Sequence, residues 1–320
     1  MNIYISIQIP RAGIDLLEAQ GYTVTVNNER RRLSEEELIV KCADQDALLY
    51  ATSVKLTERF FSQCSHLKIV ALMSAGYDQI PVDVAKKYGV PVSNTPDVLS
   101  HATADIALLL MMAASRNAFQ LSQQIGRGEW GFALPTEKLG IELYGKTLGI
   151  FGLGKIGFEL AKKAQALYGM KVIYHNRSPR PALAGPLGAE YVDFDTLLEK
   201  SDVLSVHANL SDETRGKFNR EVFRKMKPSA LFINTGRGGL HNEEDLIEAL
   251  KNGEIWGAGL DVTNPEPMHP DNPLLTMDNV CVLPHIGSAT VETRDAMALT
   301  AAKNVIAALK GEKIPQEITG

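Results

Sequence analysis

Three glycines at one turn constrain the fold of this chain most strongly. Gly152, Gly154 and Gly157 have the spacing G-x-G-x-x-G. A strand-like apolar run, Leu148 to Phe151, precedes them, and a helical pattern begins at Lys155. In a strand-turn-helix unit of this kind, the first glycine permits the turn and the second lets a phosphate group approach the backbone. The third lets the helix pack closely on its strand.

The position of these glycines between a strand and a helix predicts a dinucleotide-binding site. The free N–H groups and the positive end of the helix dipole would face the phosphates. Glycines in loops often serve only to allow positive φ, so the flanking strand and helix are what favour the binding site. We expect cofactor contacts throughout the turn, at Gly152, Leu153, Gly154, Lys155, Ile156 and Gly157.

Composition excludes several classes of protein. The 320 residues favour two domains, and the 45% hydrophobic and 22% charged residues are typical of a soluble globular chain. A net charge of −5 offers no general attraction to nucleic acid. Neither a signal peptide nor a membrane span is evident, so a cytoplasmic protein is expected. The three cysteines lack C-x-x-C spacing and the seven histidines lack metal-ligand spacing, so buried thiols and no metal site are expected.

Strand-like runs alternate with helical stretches along the chain. The predicted strands are Asn2–Ser6, Thr23–Val26, Ala47–Tyr50, Leu67–Met73, Val90–Ser93, Leu148–Phe151, Lys171–His175, Val203–His207, Leu231–Asn234, Gly257–Asp261 and Val280–Leu283. Such alternation predicts α/β architecture with two doubly wound parallel sheets. We expect residues 1–100 and 288–320 to form one domain and residues 101–287 to form the dinucleotide-binding domain.

The segment before the glycine turn has mixed character. Thr103 to Arg116 is an apolar helical pattern too short to span a bilayer. Gly126 to Tyr144 combines Gly, Pro, Trp and charge without clear periodicity. It is interpreted either as an arm that packs on a partner subunit or as an ordinary surface loop.

Three ionisable residues follow predicted strands in the second half of the chain: Arg237, Glu266 and His285. In an open parallel sheet, ligands bind at the crevice outside the carboxyl ends of the strands, so the three side chains could converge beside the dinucleotide. Each also has a plainer interpretation, as a solvated charge, a turn residue and a structural histidine, respectively. Their joint placement favours a catalytic group.

Six motifs together resemble the D-isomer-specific 2-hydroxyacid dehydrogenase family, and within it the glyoxylate/hydroxypyruvate reductase branch. They are SAGYD (Ser74–Asp78), ATAD (Ala102–Asp105), KTLGIFGLGKIG (Lys146–Gly157), NTGRGG (Asn234–Gly239), GLDVTNPEP (Gly259–Pro267) and PHIGSAT (Pro284–Thr290). The resemblance implies a Rossmann-type cofactor domain inserted into a flavodoxin-like substrate domain. It also implies a homodimer held by the inserted domain.

The resemblance assigns catalytic roles that the chemistry of each side chain supports. Arg237 would hold the carboxylate of a small 2-oxo acid and polarise its carbonyl, since a guanidinium is a planar, bidentate donor. His285 would protonate the carbonyl oxygen, and Glu266 would orient His285. Ala75 and Gly76 would bind the substrate carboxylate through backbone N–H groups, and Ser288 would line the same pocket. The resemblance leaves the roles of Trp130 and Phe132 unassigned.

The remaining cofactor contacts also follow from the resemblance. Asp261 would contact the nicotinamide amide, and backbone or side-chain contacts are expected from Thr103, Ala208, Asn209, Thr235, Gly236, His285 and Gly287.

The end of the second strand indicates which dinucleotide is preferred. NAD-selective units carry an acidic residue there that binds the ribose 2′-hydroxyl, but no acidic residue occurs between Glu159 and Glu190. Asn176, Arg177, Ser178 and Arg180 follow the strand instead, a group suited to a 2′-phosphate. The arginines could also be solvated loop charges. The absence of the acid favours NADP over NAD.

Together these features predict an NADPH-preferring reductase that converts glyoxylate and hydroxypyruvate to glycolate and D-glycerate. Two alternatives remain open. One is a dehydrogenase for another 2-hydroxy acid, such as D-lactate or D-3-phosphoglycerate. The other is a dinucleotide-sensing protein of the corepressor type.

Overall fold

The computed structural model describes residues 1–319, which divide into two compact units. The first unit comprises Met1–Leu99 and the residues from Ser288 onward, and the second unit comprises Ser100–Gly287. The second unit is therefore a continuous segment inserted between two parts of the first. No helix among residues 1–319 has the length and apolar character needed to cross a bilayer.

The first unit begins with five strands alternating with four helices. In chain order these are β1 (Asn2–Ile5), α1 (Arg11–Glu18), β2 (Thr23–Val26), α2 (Glu35–Cys42), β3 (Ala47–Tyr50), α3 (Glu58–Gln63), β4 (Val70–Leu72), α4 (Val82–Lys87) and β5 (Val92–Ser93). All strand pairs are parallel, in the order β2-β1-β3-β4-β5. This is the flavodoxin-like order. Every residue of β3 is buried, as expected where helices cover both faces of a parallel sheet.

The second unit contains seven strands. Its elements are α5 (Ser100–Ser115), α6 (Ala118–Gly126), β6 (Thr147–Phe151), α7 (Lys155–Tyr168), β7 (Lys171–His175), α8 (Pro181–Ala184), β8 (Glu190–Tyr191), α9 (Phe194–Lys200), β9 (Val203–Val206), α10 (Arg220–Lys225), β10 (Leu231–Asn234), α11 (Glu243–Lys251), β11 (Gly257–Leu260) and β12 (Val280–Val282). Short 3-10 turns cover Gly185–Leu187, Gly238–Leu240 and Pro273–Leu275.

The sheet of the second unit is parallel throughout, in the order β12-β11-β10-β9-β6-β7-β8. It contains the Rossmann order, in which the chain reverses direction across the sheet between β6 and β9. Ligands of doubly wound sheets bind at the carboxyl ends of the strands flanking this point. The predicted fold class, two doubly wound parallel sheets, is confirmed.

The chain then returns to the first unit as α12 (Val291–Lys310), which packs on α1. Gly311 ends α12 in the left-handed conformation, with φ of 72°. At the start of α2, Ser34 and Glu37 form a capping box, in which each side chain bonds the other's backbone N–H.

Two elements of the second unit were not predicted. β8 has only two residues, both exposed, so no apolar pattern marks it. In α6 the one fully buried side chain is polar: Gln120 donates from Nε2 to the carbonyl of Leu275 at 2.8 Å. β8 is too short to show a hydrophobic period, whereas α6 carries partly buried apolar residues, Phe119 and Leu121, whose pattern was not recognised in the sequence.

Candidate active site

The three glycines of the turn differ in their surroundings. Gly152 has φ of 96°, and a Cβ there would lie 2.8 Å from the backbone nitrogen of Ala208. A Cβ at Gly157 would lie 2.9 Å from Cγ2 of Ile150 on β6. Gly154 has no heavy atom within 4 Å of where a Cβ would stand. Gly152 therefore makes the turn, Gly157 permits close helix-strand packing, and Gly154 leaves open space in front of the backbone.

The start of α7 fits a pyrophosphate. Gly154 is its N-cap and supplies no side-chain cap. The first-turn N–H groups of an α-helix have no acceptor within the helix, and together with the helix dipole they favour an anion. Lys155 and Ile156 are the first two residues of this helix. The N–H of Leu153 donates to Oδ1 of Asn176 at 2.7 Å. Asn176 therefore fixes the turn from the end of β7.

The neighbouring strand ends bring further predicted cofactor residues to this edge. Ala208 follows β9, and a Cβ at Gly236 would lie 3.2 Å from its carbonyl oxygen. Asn209 is exposed, and its carbonyl accepts a hydrogen bond from Thr214 at 2.8 Å. The structure thus places Ala208 and Gly236 beside the glycine turn.

His207 lies beneath the same turn. Its Nε2 pairs with Oγ of Ser205 at 2.8 Å, and its Nδ1 lies 3.3 Å from Oγ1 of Thr235. Burial lowers the pKa of His207 to about 4, which keeps the imidazole neutral at physiological pH. No site role was predicted for His207, which ended the predicted strand Val203–His207 and in the structure follows β9 directly.

Arg237 follows β10 in a loop that approaches the Glu266 loop closely. Its Nη1 donates to the carbonyl of Gly236 at 2.9 Å. A Cβ at Gly238 would lie 1.9 Å from the carbonyl oxygen of Thr263, so only glycine allows the two loops this separation. Thr263 in turn donates from Oγ1 to the carbonyl of Pro265 at 2.8 Å.

Glu266 and His285 form a direct pair. Oε1 of Glu266 lies 2.7 Å from Nδ1 of His285, although 19 residues separate them in the chain. Both side chains are partly exposed, at 37% and 44% respectively, so the pair is accessible to a small molecule. A carboxylate on Nδ1 sets the tautomer and orientation of the imidazole and leaves Nε2 for another partner.

The backbone of His285 is in an uncommon conformation that Asp261 supports. His285 has φ of 55°, in the left-handed region that few residues other than glycine adopt. The buried carboxylate of Asp261 accepts N–H bonds from Ile286 at 2.8 Å and from Gly287 at 2.7 Å. Burial raises the pKa of Asp261, while these two hydrogen bonds oppose the shift by stabilising the carboxylate.

Gly287 and Thr103 complete this cluster. A Cβ at Gly287 would lie 2.9 Å from Oδ2 of Asp261 and 3.3 Å from Cγ2 of Thr103. The structure therefore brings together three of the predicted cofactor contacts, which lie far apart in the sequence. Their contact with a nicotinamide stays a prediction.

The residues predicted to bind a 2′-phosphate lie beyond β7. Among them, Arg177, Ser178 and Arg180 are exposed. Nη1 of Arg177 lies 4.0 Å from Oε2 of Glu213, which comes from the loop after β9. The backbone N–H of Arg180 donates to the hydroxyl of Tyr174 at 3.0 Å. An acidic side chain thus stands beside Arg177, although none occurs in the sequence between β7 and β8.

Three predicted substrate contacts belong to the first unit. Ala75 and Gly76 follow β4, in a loop tied down by Asn94, whose Nδ2 donates to the carbonyl of Ala75 at 2.7 Å. Ser74 donates from Oγ to the carbonyl of Gly76 at 2.7 Å. Ser288 is half-buried and precedes α12. Their contact with a substrate stays a prediction.

The segment from Arg127 to Tyr144 carries a group of exposed apolar side chains. Its members are Trp130, Phe132, Leu134, Leu139 and Tyr144, exposed between 50% and 93%. Both sequence interpretations, subunit arm and surface loop, agree with this exposure.

Comparisons with known proteins agree with this architecture. Residues 108–287 match the model of the D-isomer specific 2-hydroxyacid dehydrogenase NAD binding domain. A glyoxylate reductase of Thermococcus litoralis is 41% identical over 98% of this chain and 95% of its own length. The crystal structure of the TT0316 protein from Thermus thermophilus superposes with a TM-score of 0.92 at 36% identity and covers 100% of both chains.

A second solved structure was determined as a complex with small molecules. It is an NADPH-dependent glyoxylate/hydroxypyruvate reductase from Sinorhizobium meliloti in complex with NADP and malonate. It is 31% identical, has a TM-score of 0.86, and covers 99% of this chain and 96% of its own.

The fold and the dinucleotide site define an NAD(P)-dependent oxidoreductase with two α/β domains. The chain belongs to the D-isomer-specific 2-hydroxyacid dehydrogenase family, in its glyoxylate/hydroxypyruvate reductase branch.

Proposed function

We propose that this protein reduces small 2-oxo acids, with glyoxylate and hydroxypyruvate as substrates and glycolate and D-glycerate as products. The observation that carries this proposal is the pair of Glu266 and His285, 2.7 Å apart and partly exposed. It lies in the unit that holds the glycine turn, next to a loop bearing Arg237. The names of the relatives support the same chemistry.

The three catalytic side chains have different roles. A bound reduced nicotinamide supplies the hydride that reaches the carbonyl carbon. The guanidinium of Arg237 binds the carboxylate and polarises the carbonyl. His285 gives its Nε2 proton to the carbonyl oxygen as negative charge develops there. Glu266 holds Nδ1 of His285 and stabilises the protonated imidazole before transfer.

The remaining predicted contacts belong to the same proposal. Thr103, Asp261 and Gly287 support the nicotinamide end of the cofactor, and the glycine turn with Ala208, Asn209, Thr235 and Gly236 supports the rest. Ala75, Gly76 and Ser288 contact the substrate. The first unit is accordingly a substrate domain and the second unit is the dinucleotide-binding domain.

NADPH is the proposed cofactor in preference to NADH. Arg177, Ser178 and Arg180 supply two positive charges and a hydroxyl beyond β7, where no acidic residue of that loop would repel a phosphate. Glu213 stands 4.0 Å from Arg177, and both side chains are highly exposed, so a 2′-phosphate can replace the carboxylate as the partner of Arg177.

We also propose a homodimer in which the exposed apolar arm packs on the partner subunit. Five large apolar side chains are exposed within residues 130–144, which is unusual on a monomer surface.

A substrate panel tests the activity. Oxidation of NADPH and NADH is followed by absorbance with glyoxylate, hydroxypyruvate, pyruvate and a phosphorylated 2-oxo acid. We expect turnover with the first two substrates and a higher kcat/KM with NADPH. Faster turnover of pyruvate or of the phosphorylated acid would indicate the alternative dehydrogenases. Tight dinucleotide binding without turnover of any of the four would indicate a binding protein.

A further inference from the structure

A buried histidine lies behind the Arg237 loop. His241 is 1% exposed, precedes α11, and packs edge-on against the ring of Phe232 with 5.9 Å between ring centroids. Its Nδ1 lies 3.0 Å from Nδ2 of Asn234. Its Nε2 has no hydrogen-bond partner among the described residues. A buried polar nitrogen without a partner destabilises the core, so a histidine at this position calls for a reason beyond packing.

Asn234 connects this histidine to the loop. Asn234 is fully buried at the end of β10, and its Oδ1 accepts the N–H of Gly236 at 2.9 Å. Its Nδ2 donates to the carbonyl of Arg237 at 2.9 Å. The two backbone partners fix which end of the amide is oxygen and which is nitrogen. The second hydrogen of Nδ2 therefore points at Nδ1 of His241.

The orientation of the amide determines the state of the imidazole. Since Nδ2 of Asn234 is a donor, Nδ1 of His241 must accept, and its single hydrogen must be on Nε2. Burial lowers the pKa of His241 to about 4, so the neutral ring needed for this arrangement persists at physiological pH. All hydrogen-bonding positions of the Asn234 amide nitrogen are then satisfied.

We propose that His241 is a positioning residue for Arg237, acting through Asn234 to hold the backbone from Gly236 to Arg237. This inference rests on the proposed role of Arg237 as the group that binds the substrate carboxylate. The arrangement leaves Nε2 of His241 unsatisfied, which destabilises the folded protein. Without His241 one amide hydrogen of Asn234 is left unpaired, so the amide is held less firmly against the backbone of Gly236 and Arg237.

Two substitutions separate this role from a purely structural one. His241→Leu removes the unsatisfied N–H of the imidazole and also the acceptor, which leaves one amide hydrogen of Asn234 unpaired. The unfolding temperature should therefore stay close to wild type while the hold on Asn234 weakens. His241→Asn places an amide oxygen where Nδ1 stands, so it should hold Asn234 although the smaller side chain leaves a cavity. Of the two variants, His241→Leu should therefore be the more stable and His241→Asn the more active.

Kinetics with glyoxylate provide the first measurement. For His241→Leu we expect KM for glyoxylate to rise and kcat/KM to fall by about three-fold to ten-fold, the effect of one lost neutral hydrogen bond. The dissociation constant for NADPH should stay unchanged, and His241→Asn should recover most of the loss. Phe232→Leu is the matched control, because it disturbs the packing of His241 but retains the hydrogen bond. An equal rise in KM for Phe232→Leu would overturn the proposal.

Hydrogen exchange provides a measurement that does not depend on turnover. Amide exchange of the peptide covering residues 234–241 should accelerate in His241→Leu and stay close to wild type in His241→Asn. If His241→Leu does not fold, His241→Gln replaces it, since its amide lies at the Nε2 position and cannot reach Asn234. Unchanged exchange in the loss variant would overturn the positioning role. A wild-type protein inactive on all 2-oxo acids would overturn only the proposed function.

Discussion

Two histidine-carboxylate pairs occur in neighbouring segments of the second unit, and their backbones differ. His285 pairs with Glu266 and has φ of 55°, held by the two N–H bonds that Asp261 accepts from the next residues. His269 pairs with Asp271, two residues away, on an exposed turn. Uncommon backbone conformations persist where surrounding contacts enforce them, and they cluster at functional sites. This contrast favours His285 as the proton donor and makes His269 the natural control.

Removing the imidazole tests that role. In His285→Ala, reduction should slow by roughly two to four orders of magnitude, the range for a positioned acid-base group, with NADPH binding retained. His269→Ala should turn over like wild type. Stopped-flow absorbance and fluorescence titration measure the two properties, and near-normal turnover of His285→Ala would exclude it as the acid.

The carboxylate partner should hold the proton donor in place. Glu266→Gln keeps an oxygen that can accept from Nδ1 of His285 but removes the charge, so the reduction rate should fall, though less than in His285→Ala. An unchanged kcat/KM in Glu266→Gln would mean that Glu266 only shapes the turn.

Arg177 should decide between the two dinucleotides. Charge-assisted hydrogen bonds contribute about 1.5–3 kcal/mol, so Arg177→Ala should weaken NADPH binding by roughly ten-fold to a hundred-fold and leave NADH binding nearly unchanged. Glu213→Gln should strengthen NADPH binding, because it removes the carboxylate beside Arg177. Isothermal titration with both dinucleotides measures these constants, and equal losses for both would show that Arg177 does not contact the 2′-phosphate.

At the scale of the element, the β6-turn-α7 unit separates folding from binding. Gly152 and Gly157 are required by the chain itself, since a Cβ at either would meet neighbouring atoms at 2.8–2.9 Å. Gly154 has no such neighbour, and its φ of −102° is open to any residue. The protein's own packing therefore gives no reason for glycine at position 154, whereas an approaching phosphate does.

Gly154→Ala should accordingly fold normally and bind the dinucleotide poorly. We expect an unchanged unfolding temperature and NADPH affinity reduced by about ten-fold or more, or at least about 1.4 kcal/mol. Gly185→Ala, a second site with open space and negative φ, should change neither property. Thermal unfolding and titration distinguish the two, and wild-type affinity in Gly154→Ala would show that the phosphates lie elsewhere.

At the scale of the whole molecule, the exposed arm should control assembly. Phe132 is 93% exposed, and burying it with its apolar neighbours against a second subunit would stabilise a dimer of the 34.9 kDa chain. Phe132→Asp should therefore increase the monomer fraction in sedimentation velocity. Val40→Asp changes a residue of the first unit that is 73% exposed and should not alter it. A wild-type monomer at micromolar concentration would contradict the arm as an interface.

Acid should destabilise the protein partly through its buried histidines. A histidine whose pKa falls from 6.5 to about 4 on folding lets the unfolded chain take up a proton that the folded chain refuses. Its contribution is complete above pH 6.5 and is lost as the pH falls towards 4. His241→Leu removes this contribution. Between pH 7.5 and pH 4.5 the free energy of unfolding should therefore fall by about 2–3 kcal/mol less in His241→Leu than in the wild-type protein. Urea unfolding at each pH measures this free energy, and the same dependence on pH in both proteins would contradict the buried neutral state of His241.

The sequence by itself determined the features that depend on neighbouring residues. The apolar run before Gly152, the helical pattern after Lys155 and the glycine spacing are local, so they sufficed to predict the β6-turn-α7 unit. Short apolar runs bounded by helical stretches likewise placed most strands, including β3 and β7 at their observed bounds. Strand polarity in a parallel sheet then required the residues that follow each strand, such as Arg237 and His285, to lie at one edge.

Only the tertiary structure decided which side chains meet there. The bond from Leu153 to Asn176, the approach of Glu213 to Arg177 and the contact between Gly238 and Thr263 join segments 23 to 36 residues apart. Burial is also collective, so whether His207 and His241 are neutral depends on every element packed around them. Hydrophobic periodicity and turn chemistry act over a few residues, whereas these distances and pKa values are properties of the assembled core.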